Sequence, residues 1–287
     1  AFFTDHPNLK GVVEGDHAAL CTSVPEVRRY LTESVARISR AVPDLGGYFT
    51  ITASENLTNC WSHFGGAACS RCGKRTGAEV VADVNTAIAE GIRLAGGTQQ
   101  IIAWDWGWPD EWAAEAIASL PPEAALMSVS EWSLPLNRGG VAVSVGEYSL
   151  SAVGPGPRAI RNWALARGRG LQTFAKIQAA STWELSALPY IPVLRLTAQH
   201  AANLRRFGLS GVMLGWTLGG YPSPNLEVVR EVFAGTDVGQ AMASVAEARF
   251  GERAAGQVVE AWNLMSDGFT EFPFHGAVVY NAPLHAG

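Results

Sequence analysis

The sequence predicts an α/β protein built as a (β/α)8 TIM-type barrel. Apolar strand-like runs alternate with amphipathic helical segments along the 287 residues, which is the pattern of a parallel sheet covered by helices. The strand-like runs are apolar throughout, as expected for strands that are buried on both faces. Six strand–helix units can be counted. We therefore expect the third to the eighth units of a barrel that is incomplete on its N-terminal side, followed by a C-terminal helical tail.

The strand candidates recur between helical segments, at Leu9–Glu14, Gly47–Ala53, Gln100–Trp106, Ala125–Ser130, Leu171–Gln178 and Gly211–Trp216. A further run, Val141–Tyr148, is interpreted as a hairpin or as a loop extension after the fourth strand. A doubly wound open sheet is the alternative architecture. Such a sheet would usually carry a glycine-rich phosphate loop after its first strand, and no Gly-x-Gly-x-x-Gly motif occurs in this sequence.

The helical segments begin and end at recognisable residues. Pro25 opens Val24–Val42, because proline is favoured in the first helical turn, and Gly96 closes Gly77–Leu94 as a left-handed cap. The other segments are Pro109–Leu120, Pro157–Arg169, Leu194–Phe207, Pro224–Phe233, Met242–Phe250 and Arg253–Asp267. We expect a barrel domain over residues 1–235 and a helical extension over residues 236–287 that packs on it.

The composition excludes several functional classes. Hydrophobic residues make up 48% of the chain and charged residues 16%, so the apolar surface is sufficient to order the polypeptide. The net charge is −5 and no run of Lys and Arg exists, which argues against nucleic-acid binding. No stretch approaches the roughly 20 uninterrupted apolar residues of a membrane span. We expect a cytoplasmic protein without a nucleic-acid or membrane partner, and the oligomeric state is left open.

Carboxylates follow almost every predicted strand. Active sites of barrel enzymes lie at the carboxyl ends of the strands, and acids are costly to bury there unless they are paired or functional. Glycoside hydrolysis requires two carboxyl groups that flank the scissile bond. The pattern therefore predicts sugar chemistry, with four candidate catalytic residues: Glu55, Asp105, Glu131 and Glu184.

Tryptophan accompanies these acids. The chain has ten tryptophans, and several lie beside the strand-end carboxylates, where an indole face can stack on a sugar ring. We expect a carbohydrate substrate that is contacted by Asp16, His17, Trp104, Trp106, Trp132, Glu147, Lys176, Trp183, Trp216, Tyr221 and Asn225. Lys176 belongs to this set because it lies within a predicted strand, where a buried ammonium would face a substrate or a carboxylate.

Several short motifs together resemble a bacterial barrel glycoside hydrolase: Ile51–Asn56, Trp104–Trp108, Lys176–Gln178, Trp183–Leu185 and Leu214–Tyr221. Over roughly residues 9–235 the chain is similar to the β-N-acetylhexosaminidase superfamily. In that group an Asp-Glu pair closes the fourth barrel strand; its Glu is the general acid, and its Asp orients the acetamide of the substrate as the nucleophile. The resemblance implies that Glu55 is the general acid. It does not supply the Asp, because residue 54 is Ser.

Three cysteines and a histidine form the sharpest local pattern. Cys60, His63, Cys69 and Cys72 make two closely spaced pairs directly after Glu55, as in a tetrahedral Zn²⁺ site. Since the protein would fill all four positions, we expect a structural Zn²⁺ ion and no organic cofactor. A disulfide or free thiols are the alternatives. Cys21 is interpreted as a small core residue.

Other functions remain open beside a glycosidase that cleaves a terminal sugar, for example an N-acetylhexosamine. A barrel that binds carbohydrate without catalysis would keep the tryptophans but would not depend on Glu55. A sialidase-type enzyme would use Arg158, at a predicted helix start, for an anionic sugar. A zinc-dependent hydrolase would use the Cys/His set, although that set leaves no open coordination position.

Overall fold

The structure, a computed structural model, describes residues 2–216 and 221–281 and contains nine strands in those ranges. The strands are β1 (Lys10–Glu14), β2 (His17–Leu20), β3 (Gly47–Ile51), β4 (Gln100–Trp104), β5 (Ala124–Val129), β6 (Pro135–Arg138), β7 (Val141–Ser144), β8 (Gln172–Lys176) and β9 (Gly211–Met213). Residues 217–220, within the sequence motif Leu214–Tyr221, lie outside the described residues.

Five of these strands form a parallel sheet in the order β3-β4-β5-β8-β9. Gly47 of β3 lies opposite Gln100 of β4, and Ile101 of β4 lies opposite Ala124 of β5. Every residue of β5 is buried, as its unbroken apolar run predicted. The prediction of a (β/α)8 barrel, incomplete on its N-terminal side, is wrong, because only five of the described strands form one parallel sheet and the other four pair in separate antiparallel sheets.

The first predicted strand lies outside the parallel sheet. β1 pairs with β2 in an antiparallel hairpin, with Glu14 opposite His17. The connecting Gly15 has a φ of 55°, a conformation that glycine adopts without steric cost. Antiparallel strands can be joined by such a tight turn, whereas parallel strands need a long crossover. The run Val141–Tyr148 also belongs to a hairpin, in which β6 pairs antiparallel with β7.

Eight of the ten α-helices in the described residues correspond to predicted segments, and the first and the last do not. The helices are α1 (Phe2–Asp5), α2 (Pro25–Ala41), α3 (Gly77–Ala95), α4 (Asp110–Ser119), α5 (Pro157–Gly168), α6 (Leu194–Arg205), α7 (Pro224–Phe233), α8 (Val238–Phe250), α9 (Glu252–Phe269) and α10 (Gly276–Asn281). None of the described helices is both long enough and apolar enough to cross a membrane.

Helix α3 shows how local sequence sets these boundaries. Thr76 accepts a hydrogen bond from the N–H of Glu79, and the Glu79 side chain accepts one from the N–H of Thr76, which forms a capping box. At the other end Gly96 has a φ of 67° and its N–H bonds to the last turn, as in a left-handed cap. The close approach of α2 depends on Gly91, where a Cβ would lie 2.5 Å from the carbonyl oxygen of Thr32.

The chain forms two compact units. The first comprises the residues up to Ser128 together with Asn162–Thr173, and the second comprises Val129–Arg161 and the residues from Phe174 onward. The first unit has a core of small and branched side chains from its strands and from α3 and α4, including Val81, Ile88, Ile101, Ala103, Ile117 and Leu126. In the second unit, buried apolar side chains come from the segment before α6 and from α6 to α8, including Ile191, Leu196, Val228, Val232, Met242 and Val245.

Candidate functional site

The second unit brings Glu131 and Lys176 together at the carboxyl ends of β5 and β8. The N–H of Ser130, directly after β5, donates to the carbonyl of Lys176, the last residue of β8, at 2.9 Å. Both side chains are fully buried and their charges interact. We refer to Glu131, Glu147, Tyr148, Lys176 and Gln178 as the carboxylate–lysine cluster.

Lys176 is held by an aromatic ring and an amide. Its Nζ lies 3.6 Å from the centroid of the Tyr148 ring, within the range of a cation–π interaction. The same Nζ donates to Oε1 of Gln178 at 2.7 Å. Burial lowers the pKa of Lys176 to about 7, and the charges of Glu131 and Glu147 act in the opposite direction. The ammonium can therefore exchange a proton near neutral pH.

Glu131 has one oxygen that is hydrogen-bonded and one that is not. Its Oε1 accepts from the N–H of Ser149 at 2.9 Å. Its Oε2 is buried and has no hydrogen-bond partner among the described residues. Burial raises the pKa of Glu131 to about 8, against the opposing effects of the Ser149 N–H and the charge of Lys176. A carboxyl group with a raised pKa keeps its proton to a higher pH than an exposed one does.

Glu184 is equally buried, but both of its carboxylate oxygens accept hydrogen bonds. Its two oxygens accept from Ser149 Oγ at 2.7 Å, from the Leu150 N–H at 2.7 Å and from Thr182 Oγ1 at 2.8 Å. Ser151 donates through both its N–H and its hydroxyl. Glu184 therefore anchors residues 149–151, and this segment in turn supplies the N–H that binds Glu131.

The end of β9 is attached to this cluster through Gln178. The Gln178 side chain accepts from the N–H of Trp216 at 2.6 Å and donates to the carbonyl of Trp216 at 3.2 Å. The side-chain amide of Gln178 therefore holds the Trp216 backbone and also accepts a hydrogen bond from the Lys176 ammonium. Glu147, the remaining member of the cluster, is half-buried. The charge of Glu147 acts to raise the pKa of Lys176.

Asp105 lies in the first unit, at the carboxyl end of β4. It is completely buried, and its Oδ2 accepts from Ser128 Oγ at 2.6 Å and from Asn162 Nδ2 at 2.7 Å. Trp104 is buried and stacks on Trp106, with ring centroids 5.7 Å apart. These rings pack on each other within the unit, so the tryptophan-rich segment contributes to the packing there.

Glu55 occupies an open groove of the first unit. The groove brings together three residues that were predicted to act on the substrate, because Asp16 and His17 line it as well. Its volume is about 640 Å³, and Glu14, Asn56 and His63 complete its polar lining. Glu55 is exposed. It is therefore not enclosed by apolar side chains.

Four buried cysteines converge in the first unit, and they differ from the predicted set by one residue. Cys60, Cys69 and Cys72 are joined by Cys21, and the four sulfurs lie within 4.8 Å of one another. The Cys21 sulfur is 3.7 Å from that of Cys69 and 3.6 Å from that of Cys72. His63 lies outside this cluster, since its Nδ1 is 2.7 Å from Oε2 of Glu14. We call Cys21, Cys60, Cys69 and Cys72 the cysteine cluster.

The spacing of the cysteine cluster suits a single ion. Four bonds of about 2.3 Å in a tetrahedron separate the sulfurs by about 3.8 Å. An iron–sulfur cluster places its own iron and sulfide atoms among the thiolates and needs a wider spacing. Four buried cysteines within reach of one another could therefore bind one metal ion.

Neighbouring residues shape the cysteine cluster. Hydrogen bonds from Cys60 and Cys72, and from the guanidinium of Arg71, lower the pKa of Cys21, while the same thiol contacts raise the pKa of Cys60. Four thiolates this close together would require a cation to balance their charge. Gly11 lies against the cluster, because a Cβ there would lie 2.4 Å from the Cys60 sulfur. The indole N–H of Trp61 donates to the carbonyl of Cys72 at 3.1 Å.

The other predicted contact residues lie in the second unit with varied surroundings. The Arg158 guanidinium lies 4.9 Å from the centre of the Trp132 ring, and Trp183 packs against Val145 and Phe274. The exposed Tyr221 stacks on Tyr190 at 5.9 Å. The buried side chain of Asn225 donates to the carbonyls of Ala179 and Ile191 and so fixes the start of α7.

Sequence reasoning missed several residues of these sites. Cys21 follows β2 by one residue, but it is 39 positions away from Cys60 in the sequence, so spacing alone favoured the nearer His63. Tyr148 and Ser149 are in a polar loop after β7, and nothing in the local pattern distinguished them. Gln178 had a detectable signal, because it follows Lys176 by two residues and therefore lies on the same side of an extended chain.

No family model, no curated protein and no solved structure matches this chain.

Proposed function

We propose that this protein is a glycoside hydrolase in which Glu131 protonates the glycosidic oxygen of the leaving group. The observation that carries the proposal is the buried carboxyl group of Glu131, whose Oε2 has no hydrogen-bond partner among the described residues. Enzymes of this class need one carboxyl group that is protonated at working pH and a second that is ionised. The enclosure of Glu131, which raises its pKa to about 8, supports the first requirement.

Glu147 is the second carboxyl group in this proposal. Glu147 is half-buried and so is accessible to a substrate or a water molecule. Lys176 interacts with the charges of both Glu131 and Glu147. A cation shared in this way lets one carboxyl group keep its proton while the charge of the other is balanced. Gln178 holds the backbone of Trp216, and the indole of Trp216 would stack on the sugar ring.

The test of Glu131 compares leaving groups. A panel of 4-nitrophenyl glycosides, including N-acetylhexosaminides and sialosides, identifies the best sugar, which is then offered with a phenyl and with a 2,4-dinitrophenyl leaving group. Glu131→Gln should lower kcat/KM about 10²–10⁴-fold on the phenyl glycoside. It should have little effect on the dinitrophenyl glycoside, because that leaving group departs without protonation.

The control for this comparison is Glu260→Gln, which changes an exposed carboxylate on α9 and should behave as wild type. Equal losses on both leaving groups would exclude Glu131 as the proton donor. Sugar binding without turnover of any glycoside would favour a non-catalytic carbohydrate-binding protein.

We also propose that the cysteine cluster holds a structural Zn²⁺ ion. Four thiolates at the observed spacing suit Zn²⁺. All four positions would be filled by protein, so no position remains for a substrate or a reactive water. This argues against a zinc-dependent hydrolase and for an ion that stabilises the fold.

Elemental analysis of protein purified without added metal tests the ligand set. Wild type should contain about one zinc per chain. Cys21→Ser should lose most of it, because the cluster then has three thiolates, whereas His63→Ala should keep it. If Cys21→Ser keeps zinc and His63→Ala loses it, the ligands are instead Cys60, His63, Cys69 and Cys72, as the sequence spacing predicted.

A further inference from the structure

A second groove adjoins the one that contains Glu55, and the two differ in character. The second groove has a volume of about 730 Å³ and is lined mainly by apolar side chains, including Leu9, Leu20, Val27, Tyr30 and Leu57. The first groove, of about 640 Å³, is lined mainly by polar side chains. Phe3, Ala18, Leu57 and Thr58 line both grooves. We call the combined feature the amphipathic groove, with an apolar half and an acidic half.

The acidic and basic side chains of the lining are four carboxylates and three histidines, His6, His17 and His63. Glu14, Asp16 and Glu55 line the acidic half and Glu26 lines the apolar half, and no lysine or arginine lines either half in the described part of the chain. His63 pairs with Glu14 alone among these acids. A groove with this charge attracts a cation.

The acidic half does not suit a metal ion. Among the described residues, the cysteines of the cysteine cluster are the only group of His, Cys, Asp or Glu side chains close enough to share one. The carboxylates of the groove are exposed. Exposed carboxylates beside an apolar surface suit an extended organic cation that has an apolar part.

We propose that the amphipathic groove binds a peptide segment of a partner protein in which bulky apolar residues are followed, within a few residues, by lysine or arginine. The apolar side chains fill the half lined by Tyr30 and Leu57, and the basic side chains meet Asp16 and Glu55. The groove is open and mostly exposed along its lining, which suits a chain passing through it better than an enclosed small molecule.

Both walls of the amphipathic groove lie next to the cysteine cluster in the sequence. The β1–β2 hairpin ends one residue before Cys21, and Thr58 lies two residues before Cys60. Within the loop, Ser62 Oγ accepts from the N–H groups of Thr58 and Asn59. The groove is therefore preformed, which reduces the entropic cost of binding.

Fluorescence anisotropy with labelled peptides tests the proposal independently of any glycosidase activity. The probes are a hexapeptide with two leucines, two glycines and two lysines in that order, a version with glutamates in place of the lysines, and a version with serines in place of the leucines. The first should bind saturably, and the other two should bind at least about tenfold more weakly. Raising the salt concentration should weaken only the lysine-dependent part.

Variants locate the binding. The double substitution Asp16→Asn with Glu55→Gln and the single substitution Tyr30→Ala should each weaken binding at least about fivefold, since all three side chains are exposed and line the groove. Glu33→Gln, an exposed carboxylate on α2 outside the lining, is the matched control and should not change the affinity. Circular dichroism melts verify that every variant is folded.

Two outcomes would overturn the proposal. One is binding of the three peptides with equal affinity, or binding that is insensitive to the groove variants. The other is a concentration-dependent dimer, seen by light scattering, that Tyr30→Ala abolishes; the groove would then be occupied by a second copy of this chain.

Discussion

At the scale of single residues, Glu131 and Glu184 show how surroundings divide the roles of two buried carboxyl groups. Both are inaccessible to solvent. Glu184 accepts hydrogen bonds from three serine and threonine hydroxyls and from backbone N–H groups, whereas Glu131 accepts one from Ser149. Glu184 is therefore suited to hold the 149–151 segment. Glu131 has one oxygen that accepts no hydrogen bond from the described residues.

Because of this difference, replacing each glutamate by glutamine should lower the free energy of unfolding by different amounts. Glu184→Gln replaces an acceptor by an amide that cannot accept from all of its donors, and it should lower the free energy of unfolding by about 3 kcal/mol. Glu131→Gln resembles the protonated acid and should cost less than about 1 kcal/mol. Urea denaturation of both variants measures the difference. Equal costs would show that Glu131 is also a structural anchor.

Another buried residue, His200, makes stability depend on pH. Burial lowers its pKa to about 4, and its Nε2 lies 2.7 Å from Ser130 Oγ. Since the folded pKa is below the usual value of about 6.5, the unfolded chain binds more protons between these values. The stability contributed by neutral His200 is therefore present above about pH 6.5 and is lost as the pH falls towards 4.

His200→Gln tests this contribution. Between pH 7.5 and pH 5, wild type should lose about 2 kcal/mol more of its free energy of unfolding than the variant does. Glutamine stays neutral and can still bond to Ser130. Urea denaturation at the two pH values gives the comparison, in which contributions from other groups, including Glu131, cancel. Parallel losses would mean that His200 titrates normally in the folded protein.

At the scale of elements, helix boundaries were predictable and strand pairing was not. Pro25, Gly77 and Gly96 act through their own backbone conformation and their nearest neighbours, so α2 and α3 begin and end close to where the sequence predicted. Leu9–Glu14 was correctly predicted as a strand, but its partner was not. Strand pairing depends on the turn at Gly15 and on the pairing of β1 with β2, and an apolar run contains no information on either.

Two glycine-to-alanine substitutions test the helix argument. Gly96→Ala places a side chain at a φ of 67° and should cost about 1 kcal/mol. Gly256→Ala, in the middle of α9 with no atom within 4 Å of the added Cβ, should stabilise by up to about 1 kcal/mol. Thermal or urea denaturation measures both. If both substitutions change stability in the same direction, the cap at Gly96 does not control the end of α3.

At the scale of the whole molecule, the residue types of the candidate site were easier to predict than the contacts between them. The sequence predicted Glu131, Glu147 and Lys176 as candidate site residues because acids and a lysine at strand ends are costly without a role. The sequence could not show that the oxygens of Glu184 accept hydrogen bonds from the 149–151 segment, or that Glu55 is exposed. Those properties depend on loops, whose conformations follow from contacts between residues distant in the sequence. The barrel prediction failed for the same reason, since it counted strands without their pairing.

Metal removal should affect one part of the molecule. The cysteine cluster joins the β1–β2 hairpin to the loop from Ser54 to Arg75, and binding energy at such a site is folding energy. Hydrogen exchange in the presence of a chelator should therefore lose protection in these segments, while α7, α8 and α9 keep theirs. Uniform loss over the chain would mean that the ion supports the whole fold.

The hydrogen bond from the Trp61 indole to the Cys72 carbonyl gives the cysteine cluster an optical reporter. Indole fluorescence responds to the polarity and the order of its surroundings. The Trp61 ring also packs edge-to-face with the Trp112 ring, with centroids 5.8 Å apart. Co²⁺ in place of Zn²⁺ would add visible absorption from its thiolate complex and would quench a nearby indole. Occupancy of the cluster could then be followed in real time by light alone.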